Sequence, residues 1–139
     1  MIDLFTGIYT HFSSVSASSF RSDVGGQFFL EEAPSSAVMP YGVYGLVTGT
    51  REWTFTSNYE KPLMDFNVFS DSAGGAVEIT TIYKHMKAAF DDANFTIANN
   101  THLRMRRTAV RLARDSEIVP NKSIWHLNVE YEMLMRSDS

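Results

Sequence analysis

The side chains able to do chemistry in this chain are four histidines, several paired carboxylates and a run of arginines. His11, His85, His102 and His126 are never four residues apart, and none stands at motif spacing from a carboxylate, so no helical two-histidine metal motif can be drawn. Glu31-Glu32, Asp91-Asp92 and the Glu130/Glu132 pair have the composition of a general acid and base. That work needs one carboxyl in an apolar pocket to raise its pKa, and adjacent acids at loops and helix ends read instead as solvated surface. Cysteine is absent, which removes disulfides, thiolate metal sites and Cys nucleophiles together. No Gly-x-Ser-x-Gly elbow occurs, and Gly42, Gly45 and Gly49 fit neither a dinucleotide fingerprint nor a phosphate loop. The expectation is a protein without catalytic, cofactor-binding or metal-binding residues.

Arginine is the one type whose placement departs from the ordinary. Arg104, Arg106, Arg107, Arg111 and Arg114 fall between positions 101 and 114 with no acid among them. Of 12 basic residues they take five, leaving seven against 16 acidic ones, a net of -9, for the rest of the chain. Such asymmetry concerns association and steering more than fold. Three uses are open: contact with phosphate, salt bridges between subunits, or a solvated face. Strict alternation along a strand puts Arg104, Arg106 and Arg114 on one face and Arg107 and Arg111 on the other, so no face collects all five. The segment also lacks the interleaved aromatics of a single-strand platform, and the chain as a whole is acidic, so phosphate contact ranks last.

The elements that must position these residues emerge from periodicity. Ile2, Phe5, Ile8, Tyr9 and Phe12 make one stripe of a short amphipathic helix, with Asp3 in its first turn. Ser13 to Ser22 shows no pattern and reads as loop. Gly25-Gly26 and the Pro34 to Pro40 stretch punctuate the next segment, with a short strand between them at Gln27 to Leu30. Tyr41 to Arg51 alternates as a strand, continued by Trp53, Phe55 and Ser57. A turn at Asn58 to Pro62 then precedes a second alternating run, Leu63 to Phe69. Ser70-Asp71-Ser72 offers capping oxygens before Ala76, Ile79, Ile82, Tyr83, Met86, Ala89, Phe90 and Ala93, the clearest helical stripe in the chain. Phe95 to Ala98 reads as a short strand and Asn99-Asn100 as a turn.

His102 to Arg114 can be drawn as helix or strand. Strand is preferred because Ile124 to Met135 supplies an antiparallel partner across Pro120-Asn121. In that partner Trp125, Leu127, Val129, Tyr131, Met133 and Met135 alternate with His126, Asn128, Glu130 and Glu132, so one side packs on helices and the other is wet or docked to a neighbour. The fold class expected is α+β, one domain over residues 1–139, with a mostly antiparallel four- to five-stranded sheet and two helices on one face. With no signal-like N-terminus and no apolar run of membrane-spanning length, a soluble protein made in the cytoplasm is expected, and the sequons at Asn94, Asn99 and Asn121 carry no weight.

The order of these elements, together with Val24 to Gly26, Glu32-Ala33-Pro34 and Pro40-Tyr41-Gly42-Val43-Tyr44 opening a strand, resembles the tail-terminator, or tail-completion, proteins of long-tailed bacteriophages. The likeness spans almost the whole chain through short, degenerate motifs; the serine-rich stretch and the arginine cluster depart from it. It implies a virion protein of the tail neck, assembled in the host cytoplasm, that caps the tail tube as a hexameric ring, ends its growth and presents a joining surface to the head connector. No catalytic residue or cofactor is implied. The implied partners are further copies of itself, the major tail-tube protein and the head connector or head-completion protein, with DNA passing through the lumen without specific binding. The alternative is a head-tail connector or DNA-gating module that contacts DNA through Arg104 to Arg114. Interface candidates are the hairpin tip from Thr48 to Lys61, with Trp53, Phe55, Tyr59 and Lys61, the five arginines, and Glu130 and Glu132. Trp53 and Phe55 either meet a partner or cap their own sheet.

Overall fold

The computed structural model describes residues 2–53, 58–71, 76–93, 97, 100–119 and 122–137, with side chains described for 4–47, 61–71, 76–93, 97, 105–114 and 124–135. Helix α1 (Ile2–Phe12) leads through a 3-10 turn at Val15–Ala17 into α2 (Ser18–Asp23), then strands β1 (Phe28–Leu30), β2 (Tyr41–Trp53) and β3 (Asn58–Ser70), helix α3 (Val77–Phe90), and the long hairpin of β4 (Asn100–Val119) and β5 (Lys122–Ser137). The five strands form one sheet in the order β1-β2-β3-β5-β4. All pairs are antiparallel except β1 with β2, which is parallel. The α+β architecture expected from the sequence holds, with a third helix and one parallel pair added.

The helices cover one face of the sheet. Leu4, Ile8 and Phe12 of α1 are buried and Tyr9 is 46% exposed, so the inward stripe of α1 centres on Leu4 rather than Tyr9. The serine-rich stretch read as loop is helical instead, because Ala17, Phe20 and Val24 at spacings of three and four all enter the core. Gly25 and Gly26, at φ 60° and 73°, end α2: their amides reach back to the carbonyls of Ser22 and Arg21 at 3.1 and 2.9 Å. Helix α3 buries Ile79, Ile82, Met86, Ala89 and Phe90 as its periodicity requires. Its N-cap is Ala76 without a side-chain bond, not the Ser70-Asp71-Ser72 group. Ser70 Oγ donates to Glu78 Oε1 at 2.6 Å, so it steadies the first turn through a side chain.

Two strand boundaries also move. Asn58 to Pro62 belongs to β3, not to a turn. Proline has no N–H to give a ladder, and on the β5 side the pairing skips Lys61 and Pro62 between Glu60↔Met135 and Leu63↔Glu132. The strand tolerates proline because the pairs on both sides of that gap keep the same register. Asn100, expected in a turn, already opens β4. The expected strand at Phe95 to Ala98 lies outside the described residues except for Ile97, a buried bridge residue.

The core is dominated by aromatic rings. Phe28 lies 4.7 Å from Phe12, 4.5 Å from Tyr44 and 5.5 Å from both Phe20 and Phe66, and Phe66 lies 4.8 Å from Phe90, centroid to centroid. These separations suit edge-to-face and offset contacts, which add to the burial of large apolar surfaces. Gly42 is required beneath this cluster: a Cβ there would stand 2.8 Å from Phe28 Cδ1.

Candidate assembly surface

Along β5, Leu127, Val129, Tyr131, Met133 and Met135 are buried, while His126, Asn128, Glu130, Glu132 and Leu134 are half-buried on the face that carries no helix. The single-sided alternation read from the sequence is thus realised, and among the described residues no helix lies on the other side of the sheet. The polar residues of that open face are held in order. Asn67 Oδ1 accepts from His126 Nε2 at 2.7 Å and from Asn128 Nδ2 at 2.8 Å, and Asn67 Nδ2 donates to Asp65 Oδ2 at 3.3 Å. The His126 ring stacks on Phe69 at 4.5 Å, and Phe69 meets Tyr41 at 5.3 Å. Burial pushes the His126 pKa down, against a smaller opposing pull from Asp65.

The arginines divide over the two faces in a way that alternation alone misassigns. Between Arg107↔Tyr131 and Ala109↔Glu130 the register shifts by one, so Thr108 stands out of the ladder as a bulge. Everything beyond it changes face. Arg106, opposite Glu132, and Arg111, opposite Asn128, share the open face, whereas Arg107, opposite Tyr131, and Arg114, opposite Trp125, share the helix side. The expectation that paired Arg111 with Arg107 and Arg114 with Arg106 is corrected by this one extra residue.

Each face uses its arginines differently. On the open face Arg111, 77% exposed, reaches Glu130 Oε1 at 4.0 Å, and Asp65 stands directly opposite Glu130 across β3 and β5. Like charges opposed in this way are unfavourable, and Arg111 and Asn67 offset the cost. Lys61, Arg106 and Glu132 come together with Leu134 around a shallow cleft of about 200 Å³ at the β3–β5–β4 end of the same face. On the helix side Arg107 lies 3.5 Å from Asp91 and donates to the Tyr83 hydroxyl, and Arg114 lies over the Trp125 ring at 5.9 Å. Arg107 is therefore a strut between β4 and α3.

Of the interface candidates, the structure gathers Lys61, Arg106 and Glu132 at one cleft and Arg111 with Glu130 at another point of the same face. The side chains of Trp53, Tyr59 and Arg104, and all of Phe55, lie outside what is described. Sequence reasoning missed an apolar groove of about 320 Å³ between α1 and the edge strand β1, lined by Phe5, Thr6, Tyr9, Thr10, Leu30 and Tyr44. Its signal was present in Tyr9 and Leu30, apolar residues left at the rim of their elements. Among the described residues no group of three or more His, Asp and Glu could hold a metal, and no helix is long and apolar enough to cross a membrane.

No protein-family model matches this sequence, and no curated protein matches it. Its fold is similar to that of a solved chain from the virion of a native gene transfer agent (GTA) particle, at a TM-score of 0.79 and 12% identity over 95% of this chain and 93% of that one. At that identity the likeness shows the fold alone. A second solved chain, at a TM-score of 0.46 and 10% identity over 84% of this chain and 91% of that one, bears on nothing further.

Proposed function

We propose that this chain is a structural virion protein that caps the tail tube as a ring, taken as hexameric from the family resemblance, ends tail elongation and offers the joining surface for the head connector. The observation that carries this reading is the near end-to-end fold likeness to a virion chain of a gene transfer agent particle. It agrees with the motif order that resembles tail terminators. A sheet that carries no helix on one face among the described residues, with its arginines gathered on the β4 edge, suits a molecule completed by neighbours better than one that encloses a substrate. The two grooves described are open to solvent, one lined by aromatic rings, threonines and Leu30 and the other by Lys61, Arg106, Glu132 and Leu134, and neither is a closed cavity.

The DNA-gating alternative draws less support. Arg107 is committed to Asp91 and Tyr83, Arg114 lies against Trp125, and the remaining described arginines of the segment sit on the other face, so among the described side chains the positive charge of the segment is split rather than gathered along one groove. The test is made in a particle-producing cell. Depleting the chain is expected to yield tail tubes of uncontrolled length that fail to join heads, with joining restored when the purified chain is added. Normal-length, head-joined tails in its absence would refute the reading.

A further inference from the structure

We infer that successive copies in this ring meet edge to edge, the β4 edge of one copy docking on the α1–β1 edge of the next; the inference rests on the ring reading above. The two edges are the opposite ends of one sheet, and each is apolar on one level and charged on the other. On the helix side of β4, Val110 and Leu112 are 41% and 44% exposed, large apolar side chains on an edge with no helix over them. On the helix side of the opposite edge lies the 320 Å³ groove, with Tyr9 and Leu30 exposed at 46% and 41%. On the open-face side of β4 stand Arg106 and Arg111. On the open-face side of the opposite edge the Glu31 carboxylate lies over Gly45, and Glu32 is exposed beside it.

Placing the two edges side by side, with the sheets continuing in one layer, therefore sets apolar against apolar and arginine against glutamate without turning either molecule over. The charge bias is not confined to those few residues. Residues 1–50 contain Asp3, Asp23, Glu31 and Glu32 but, of Lys and Arg, only Arg21, and the Arg21 guanidinium is held by the carbonyls of Phe12 and Ser14. Because the two edges differ, the contact is head-to-tail, the kind that generates a ring when its rotation closes. An edge strand as long as β4 also needs protection against indiscriminate strand pairing, and its arginines reserve it for an acidic neighbour.

The absence of cysteine allows a direct test. Leu30→Cys and Leu112→Cys are made singly and together in the full chain and mildly oxidised. The expected result is an unlike dimer from the mixed single variants, no dimer from either alone, and from the double variant a ladder that stops at the ring number. Arg111→Glu is expected to weaken association at least tenfold and Glu32→Lys to restore it. Rings in sedimentation that give no 30-to-112 cross-link, or like-with-like cross-links, would overturn the edge assignment and leave the ring standing. A chain that stays monomeric alone and with tail tubes would overturn both.

Discussion

The Tyr131 hydroxyl, on a fully buried ring, donates a 2.6 Å hydrogen bond to Asp91 Oδ1, and so joins the interior strand β5 to the end of α3. Burial, then this bond, pushes the Tyr131 pKa far up, so the phenol stays protonated and remains the donor. Arg107 completes the junction from the edge strand. Replacing Tyr131 by Phe removes one bond and leaves Asp91 with Arg107, a loss of about 1 kcal/mol. Asp91→Ala strands a buried hydroxyl and costs about 1–3 kcal/mol. Urea unfolding of the two variants gives the order directly, and a Tyr131→Phe loss exceeding that of Asp91→Ala would contradict the arrangement.

Gly42→Ala drives a Cβ to 2.8 Å from Phe28 Cδ1, and Phe28 cannot retreat because Phe12, Phe20, Tyr44 and Phe66 surround its ring. The expected cost is about 1–3 kcal/mol, that of overpacking a filled core. A thermal melt that does not move would mean that the aromatic cluster is looser than its distances imply.

His126 sets a pH dependence. Its pKa is lowered from 6.5 in the folded chain, so below 6.5 the unfolded chain binds more protons, and stability falls as pH drops from 6.5 through the folded value. Above 6.5 this contribution is fully present. Replacing His126 by Asn is expected to flatten stability against pH in that window. An unchanged slope between wild type and variant would remove His126 as its source.

Thr108 is surplus to the ladder, since Arg107↔Tyr131 and Ala109↔Glu130 are consecutive pairs once it is gone. Its deletion is expected to keep the fold and cost about 1 kcal/mol, from the lost Thr108 hydroxyl bond to the Glu130 carbonyl and the relaxed local twist. Unfolding on deletion would show that the bulge is needed for the hairpin itself.

The bulge also marks the limit of what sequence conveyed. The β5 alternation and the α3 stripe were legible, because period two and period 3.6 extend over many residues, and the strand character of the arginine segment followed from the partner that β5 offers it rather than from a period of its own. Which face each arginine takes was not, since one inserted residue reverses parity and Thr is an ordinary strand residue. Helix α2 was hidden because a six-residue helix shows too little periodicity to stand out among serines, and only Phe20 and its neighbours Ala17 and Val24 disclose its buried side. Pro62 read as a turn because a proline argues against a central strand, and the gap left in β3–β5 pairing is tertiary information. The candidate surface was legible as a wet strand face and an arginine run. The groove beside β1 was not, because it is made by α1, β1 and β2 together.

Sedimentation of the purified chain, with electron microscopy of the same sample alone and mixed with tail tubes, tests the central claim most directly. The account predicts a discrete closed ring, or a monomer that becomes a ring at one end of the tube. A chain that remains a single copy in both samples and leaves the tube ends bare would contradict it.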